Sequence, residues 1–232
     1  MLDYGALSPN CRRKSEQHQP QAGVLVKGGK PMTSVRRFRD FVQDFTRLVE
    51  KTGNDETLIF VDGKALLEEL VTHDDWLPDA FARSDPNRYQ QHLLHCDPLE
   101  RFSIVSFVWG PGQHTPVHDH TVWGMVGMMR GTEYCEEFEL DASTGRLAAG
   151  EKHPLQPGEV DLVSPRVGDI HRVSNALEDR ASISIHVYGG NIGSVRRHTY
   201  DPDSGKVADF ISGYSTPVVP NLWDRSEEMR PG

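Results

Sequence analysis

Between Gly112 and Gly131 the chain carries His118-Asp119-His120 inside a glycine-punctuated run of β-forming residues. This spacing restricts the folds available to it. On a strand, the period of two brings both imidazoles to one face and turns Asp119 to the other. A third histidine, His171, stands far along the chain in Gly168-Asp-Ile-His171. Two imidazoles from one strand and a third from a distant strand can cap one side of a metal ion and leave its other positions open. Open positions are what a catalytic metal needs and a structural metal lacks.

The rest of the chain supplies strands for such a scaffold. Phe102–Trp109, Val117–Met129, Thr132–Leu140, Val160–Val163, His171–Val173 and Ala181–Tyr188 read as β-segments, and a hairpin surrounds Asp203-Ser-Gly205. Turn signals at Ser143-Thr-Gly145, Gln156-Pro-Gly158 and Pro165 to Gly168 separate them. Many short strands with Gly/Pro turns imply a sandwich or closed barrel. Upstream the periodicity is helical. Thr33 and Ser34 are placed to cap a helix starting at Val35, with Phe38, Phe41, Val42, Phe45, Leu48 and Val49 on one side and Gly53 as its stop. Asp62 is placed to cap a second, carrying Ala65, Leu66, Leu67, Leu70 and Val71. A short helix is expected after Pro78 and a fourth through Tyr89 to Leu94. The expected organisation is a disordered tail over 1–32, then a single domain over 33–232. Within it, 33–98 form a helical cap, 99–215 a β-barrel and 216–232 a C-terminal extension.

The 25 basic against 34 acidic residues give a net charge of −9, which argues against nucleic-acid or anionic-membrane partners. No run approaches the roughly 20 apolar residues of a membrane span. Cys11, Cys96 and Cys135 are an odd number without a C-x-x-C pair. A disulfide framework is not expected, and a reducing cytoplasm fits. Composition leaves the oligomeric state open.

The spacing Gly112, five residues, His118-x-His120, three residues, Gly124, six residues, Gly131 resembles the first motif of the cupins. Gly168-Asp-Ile-His171, three residues, Asn175 resembles the end of their second motif, although Pro165 lies one residue farther from Gly168 than is usual. The resemblance implies a mostly β fold, a double-stranded β-helix barrel. It also shows a departure, since Gly124 stands where cupins usually carry a glutamate. A three-histidine site adds no charge of its own, so Fe²⁺ keeps its full charge and is suited to an anionic thiolate beside O₂. Within the cupins this pattern resembles the thiol dioxygenases. Animal cysteine dioxygenases carry at that position a cysteine cross-linked to the active-site tyrosine; Gly124 excludes such a link, and Cys135 is not given that role. Ser184-Ile-His186-Val-Tyr188 resembles the Ser-His-Tyr relay of the same enzymes, with alternate residues on one strand face. By itself that segment also reads as an edge strand with one wet face.

The family anchors the cysteine carboxylate through an arginine two residues after a tyrosine. Here Tyr89-Gln-Gln91 places a glutamine there. A charge-assisted bond to a carboxylate contributes roughly 1.5–3 kcal/mol and a neutral one about 0.5–1.5 kcal/mol, which argues against cysteine as the best substrate. The glutamine type resembles mercaptopropionate dioxygenases, in which an arginine nine residues beyond the relay tyrosine helps hold the carboxylate. That count falls on Arg197, although Arg196 and Arg197 read equally well as a solvated basic pair. The remaining histidines (His18, His73, His92, His95, His114, His153, His198) lack ligand spacing and read as surface residues.

The resemblance therefore implies an iron(II) enzyme, one ion per chain, held by His118, His120 and His171. It would insert both atoms of O₂ into a small thiol to give a sulfinic acid, with 3-mercaptopropionate favoured and L-cysteine second. Tyr188, His186 and Ser184 are the expected catalytic residues, and Gln91, Arg197 and Tyr89 the expected substrate contacts. The alternatives are a cysteine dioxygenase proper and a non-enzymatic cupin that binds a small ligand through its metal.

Overall fold

The protein is described by a computed structural model covering residues 34–53, 55–141 and 143–225. The expected tail over 1–32, and Thr33, lie outside the described residues. Two helices precede the sheets, α1 (Arg36–Thr52) and α2 (Glu56–Val71). The apolar stripe predicted for α1 is the stripe it buries, from Phe38 to Val49, and Gly53 ends it in the left-handed region at φ 59°. Ser34 contributes only a long 3.4 Å bond to the Arg36 amide. The second helix starts earlier than expected. Asp55, not Asp62, is its cap, accepting from the Thr57 and Leu58 amides at 2.9 and 3.3 Å, and Asp62 lies exposed inside the helix. A single 3-10 turn, Asp79–Phe81, follows Pro78.

Eleven strands are described: β1 (Gln90–Cys96), β2 (Ser103–Trp109), β3 (Val117–His118), β4 (Gly124–Arg130), β5 (Glu133–Asp141), β6 (Arg146–Leu155), β7 (Val160–Val163), β8 (His171–Asn175), β9 (Ser182–Tyr188), β10 (Arg197–Tyr200) and β11 (Val207–Phe210). They form two antiparallel sheets, in the orders β1-β2-β9-β4-β7 and β11-β10-β3-β8-β5-β6. Inward residues of both meet in one cluster, with Val105, Phe107, Trp109 and Tyr188 of the first sheet against Val173 of the second. This is the double-stranded β-helix architecture of a cupin.

The helices cover the outer face of the first sheet. Ile104 and Val108 of β2, Met125 and Met129 of β4, and Ile183, Ile185 and Val187 of β9 pack with α1 and α2 in one core. The approach is close enough that a Cβ at Gly127 would lie 2.9 Å from Leu67 and Val71. Each fully buried apolar side chain here contributes about 1.5–3 kcal/mol relative to exposure. The same cover has a second effect. Ser182, Ser184, His186 and Tyr188, on the other face of β9, are sealed in the barrel interior.

Three expectations are corrected. Tyr89 to Leu94 is not helical, because β1 pairs with β2 over Gln90↔Val108 to Cys96↔Ser103; its short apolar stretch suits either state, and pairing decides. Val117–Met129 is not one strand but β3 and β4, separated by a turn in which Thr121 adopts φ 59°. Strand β6, rich in charge and largely exposed, was not anticipated, since it carries no apolar alternation. The sheets thus begin at Gln90, ahead of the expected boundary at 99.

Candidate functional site

His118 and His171 are direct partners in the β3–β8 register, and His120 follows in the turn after β3. The three rings form an equal triangle, with every pair of centroids 4.9 Å apart. Their ligand atoms lie within 4.8 Å of one another, and all three residues are buried. Each Nδ1 is engaged by the protein. His118 Nδ1–H donates to Pro116 O at 3.1 Å, His120 Nδ1–H to Asp169 Oδ1 at 3.0 Å, and His171 Nδ1 faces Cys135 Sγ at 3.4 Å. With Nδ1 occupied, Nε2 remains as the ligand atom, the arrangement that fixes tautomer and ring orientation in metal sites. Burial, and then the neighbouring imidazoles, hold His118 and His171 well below the ordinary histidine pKa. Neutral imidazole is the form that ligates. The donor set therefore fits a transition metal with open positions.

Asp169 was not singled out in the sequence, yet it organises one side of this triangle. Besides the His120 ring it accepts from the His120 amide at 3.0 Å and the Thr121 amide at 2.9 Å, pinning the left-handed turn. Burial works to raise its pKa, but these bonds, the His120 ring first, hold the carboxyl below its ordinary value. Asp119 faces the other way, as strand alternation predicts, and accepts from the His198 amide at 2.7 Å and Tyr200 Oη at 2.8 Å.

Gly124 is directly opposite Tyr188 in the β4–β9 register. A Cβ there would lie 2.8 Å from Tyr188 Cδ1 and 2.9 Å from Val163 Cγ2. A glutamate at this position is excluded by the tyrosine ring, which stacks on His120 at 5.3 Å. The missing carboxylate and the present tyrosine are thus one feature. Tyr188 Oη is 2.7 Å from His186 Nδ1, and His186 Nε2 is 2.8 Å from Ser184 Oγ; Trp109 Nε1–H donates to the same hydroxyl at 3.3 Å. Burial raises the Tyr188 phenol above its ordinary value, opposed by Arg197, and keeps His186 neutral. Glu133, also unanticipated, lies beside this chain and is fully buried. Burial pushes its pKa up to about 8 against the bonds from Ser184 and Ser182.

A cavity of about 360 Å³ opens onto His118 and is lined by Tyr89, Gln91, Phe107, Arg197, Ser212 and Tyr214 among others. Arg197 is buried, whereas Arg196 is exposed and pairs with Asp209. The Arg197 guanidinium donates to Ser212 Oγ at 2.6 Å and lies over the Phe210 ring, 4.6 Å from its centroid. Its Nε has no partner among the described residues. Gln91 reaches the same hydroxyl from the other side. Its Nε2 donates to Ser212 Oγ and Gly213 O, both at 3.0 Å, so its amide protons are spent on the protein. Tyr89 stacks on Trp109 with centroids 4.8 Å apart. Among the other described histidines, one is buried and four, His153 included, are half-buried. His92 is buried, and His153 joins a cluster with Cys135 and Asp161.

Fold and site together define a cupin whose interior presents a three-histidine metal-binding group and a buried cation beside it. The sequence profile of cysteine dioxygenase type I matches residues 64–201, and the chain belongs to that family. It is accordingly an oxidoreductase of the dioxygenase class. Curated relatives are the cysteine dioxygenase type 1 of Danio rerio, 24% identical over 196 residues and covering 82% of this chain and 90% of the relative, and that of Bos taurus, 21% identical over 165 residues with 70% and 80% covered. The protein of that name from Homo sapiens is 23% identical over 127 residues, 54% of this chain and 62% of the relative. Among solved structures, a cupin 2 conserved barrel domain protein from Salinispora arenicola aligns over 51% of this chain and 89% of its own, with TM-score 0.37 and 21% identity.

Proposed function

We propose that residues 33–232 form one cupin domain that binds one iron(II) per chain through His118, His120 and His171 and oxidises a small thiol acid to its sulfinic acid. 3-Mercaptopropionate is the favoured substrate and L-cysteine the second. The observation that carries the substrate class is Arg197, a buried cation in the cavity beside His118 with no carboxylate within ion-pair distance among the described residues. An uncompensated buried charge is costly, and a substrate carboxylate would complete it. The lining of that cavity contains no acidic side chain, so nothing there offers an anion to the ammonium of cysteine.

Iron(II) held by three neutral imidazoles supplies an electron source and a cationic seat for the thiolate. The chain does the rest by placement. Arg197 binds the carboxylate, and Gln91 acts through Ser212 to hold the guanidinium rather than by touching the substrate. Tyr188 offers its hydroxyl proton to the oxygen being transferred, while His186 and Ser184 fix the phenol's orientation. Phe107, Trp109 and Tyr89 exclude water from the reacting thiol. The balance is one thiol plus O₂ giving one sulfinic acid, with both oxygen atoms on sulfur.

Among the described residues no helix is long and apolar enough to cross a membrane. Cys96 and Cys135 are free thiols, which supports a reducing compartment such as the cytoplasm. The test is oxygen uptake by iron-loaded protein against a panel of small thiols. The proposal expects the highest kcat/KM with 3-mercaptopropionate, a lower value with L-cysteine and negligible uptake with cysteamine, which lacks the carboxylate. Equal rates with cysteamine would remove Arg197 as the anchor.

A further inference from the structure

On the Nδ1 side of His171, away from the thiol-acid cavity, three strands bring together a second set of ligand-type side chains. Cys135 and His153 are direct partners in the β5–β6 register. Asp161 reaches them from β7 in the other sheet. One ligand atom from each lies within 4.8 Å of the other two. Zinc–ligand bonds of about 2.0–2.3 Å in a tetrahedron put ligand atoms roughly 3.3–3.8 Å apart, a spacing within reach of small side-chain movements. Cys135 is buried, while the side chains of His153 and Asp161 are each 27% exposed. A cavity of about 270 Å³ opens beside them and is also lined by Glu137, Glu151 and His171, giving a cation an entry path and space for water as a further ligand.

We propose that Cys135, His153 and Asp161 form a second metal site, for a borderline divalent cation of the zinc type. A thiolate and a carboxylate offset the two positive charges, and the neutral imidazole adds none, so the filled site is electrically neutral, as a largely buried position requires. Sulfur and imidazole together select zinc or cobalt over magnesium or calcium, which favour all-oxygen sites. On binding, the Cys135 thiol loses its proton to solvent. The 2.8 Å bond between His153 Nε2 and Asp161 Oδ2 opens, and both atoms turn to the ion. Glu137 and Glu151, which line the same cavity, add an attractive field for a dication.

The site touches the three-histidine centre through one contact. Cys135 Sγ lies 3.4 Å from His171 Nδ1, and a metal-bound thiolate accepts that N–H more strongly than a thiol does. Filling the second site would therefore increase the basicity of one ligand of the first. The proposal does not depend on which thiol the enzyme oxidises.

The test is a cobalt(II) titration of the metal-free full chain, with a phosphine in place of a thiol reductant. The three-imidazole site offers cobalt no sulfur, so a thiolate-to-cobalt charge-transfer band reports a cysteine ligand, and Cys135→Ser separates Cys135 from Cys11 and Cys96. The expected result is a band that saturates by two equivalents in the unmodified chain, where the three-imidazole site also takes cobalt, and at one equivalent in His118→Ala. It should disappear in Cys135→Ser, and its midpoint should rise at least tenfold in Asp161→Asn and His153→Gln. Circular dichroism melting identifies which variants retain the fold, and the two partly exposed positions keep the test open if Cys135→Ser does not. Absence of the band in folded protein overturns the proposal. So does its survival in Cys135→Ser, or an unchanged midpoint in folded Asp161→Asn and His153→Gln.

Discussion

The two walls of the cavity beside His118 are built on opposite terms. On the metal wall every group is satisfied: each imidazole has a partner for Nδ1, and Asp169 accepts three hydrogen bonds while holding one turn. On the other wall Arg197 is buried, with no partner for Nε among the described residues, a hydroxyl and an aromatic ring in direct contact, and Asp119 acting on it only at a distance. The first wall is preorganised for a cation. The second stores an electrostatic deficit that an anion relieves. Orientation is held on one side of the cavity and buried charge on the other.

The comparison breaks most visibly at the metal wall. His118→Ala, His120→Ala or His171→Ala should each remove most bound iron, and activity with it, because two remaining imidazoles make no stable cap. Metal analysis of the purified variants checks this, and full occupancy in any one of them would take that histidine out of the centre. On the substrate wall Arg197→Ala should cost about 1.5–3 kcal/mol of anchoring, roughly 10–150-fold in kcat/KM, mainly through KM. Gln91→Ala should cost less, since it only supports Ser212. Steady-state kinetics on both variants would reverse this order if Gln91 were the anchor itself. Tyr188→Phe should leave iron content unchanged and lower kcat by about 100-fold or more, the usual scale for a placed proton donor. An unaltered kcat would relegate the Ser184–His186–Tyr188 chain to packing.

The smallest expected effect concerns pH, and its sign follows from two opposed sets of groups. Glu133 has its folded pKa raised from 4.5 to about 8, so the stability it permits is present below 4.5 and lost as pH rises through 8. His118, His171 and His186 have lowered folded values; their contribution is present above about 6.5 and lost as pH falls. Metal-free protein should therefore be most stable near pH 6.5, about the ordinary histidine pKa, and lose stability from there to pH 8. Glu133→Gln should flatten only the alkaline decline in melting temperature between pH 6 and 8.5. If the decline persists unchanged in the variant, Glu133 is not its source.

Legibility followed burial. The inner and outer faces of β9, the α1 stripe and the spacing of the three histidines could be read directly, because each is a regular pattern imposed by a packed surface. Strand β6 could not, since a mostly exposed strand carries no alternation. β1 was read as a helix because its partner β2, and not its own residues, decides its state. At the site, Asp169, Glu133 and Ser212 went unnoticed for a common reason: each acts through a contact with a residue distant in sequence. Asp55 would have been found by asking which acidic residue precedes the apolar stretch by one turn. Gly124 was legible as a missing carboxylate, but its cause, the ring of Tyr188 directly across the sheet, was not.

The proposed function has this centre deliver both atoms of one O₂ to the sulfur of a thiol acid. It is tested most directly by turnover of 3-mercaptopropionate under ¹⁸O₂ in ordinary water, with the product weighed by mass spectrometry. The account predicts a sulfinic acid carrying two heavy oxygens on sulfur, formed in a one-to-one ratio with oxygen consumed. A disulfide, or a sulfinic acid with one oxygen from water, would contradict it.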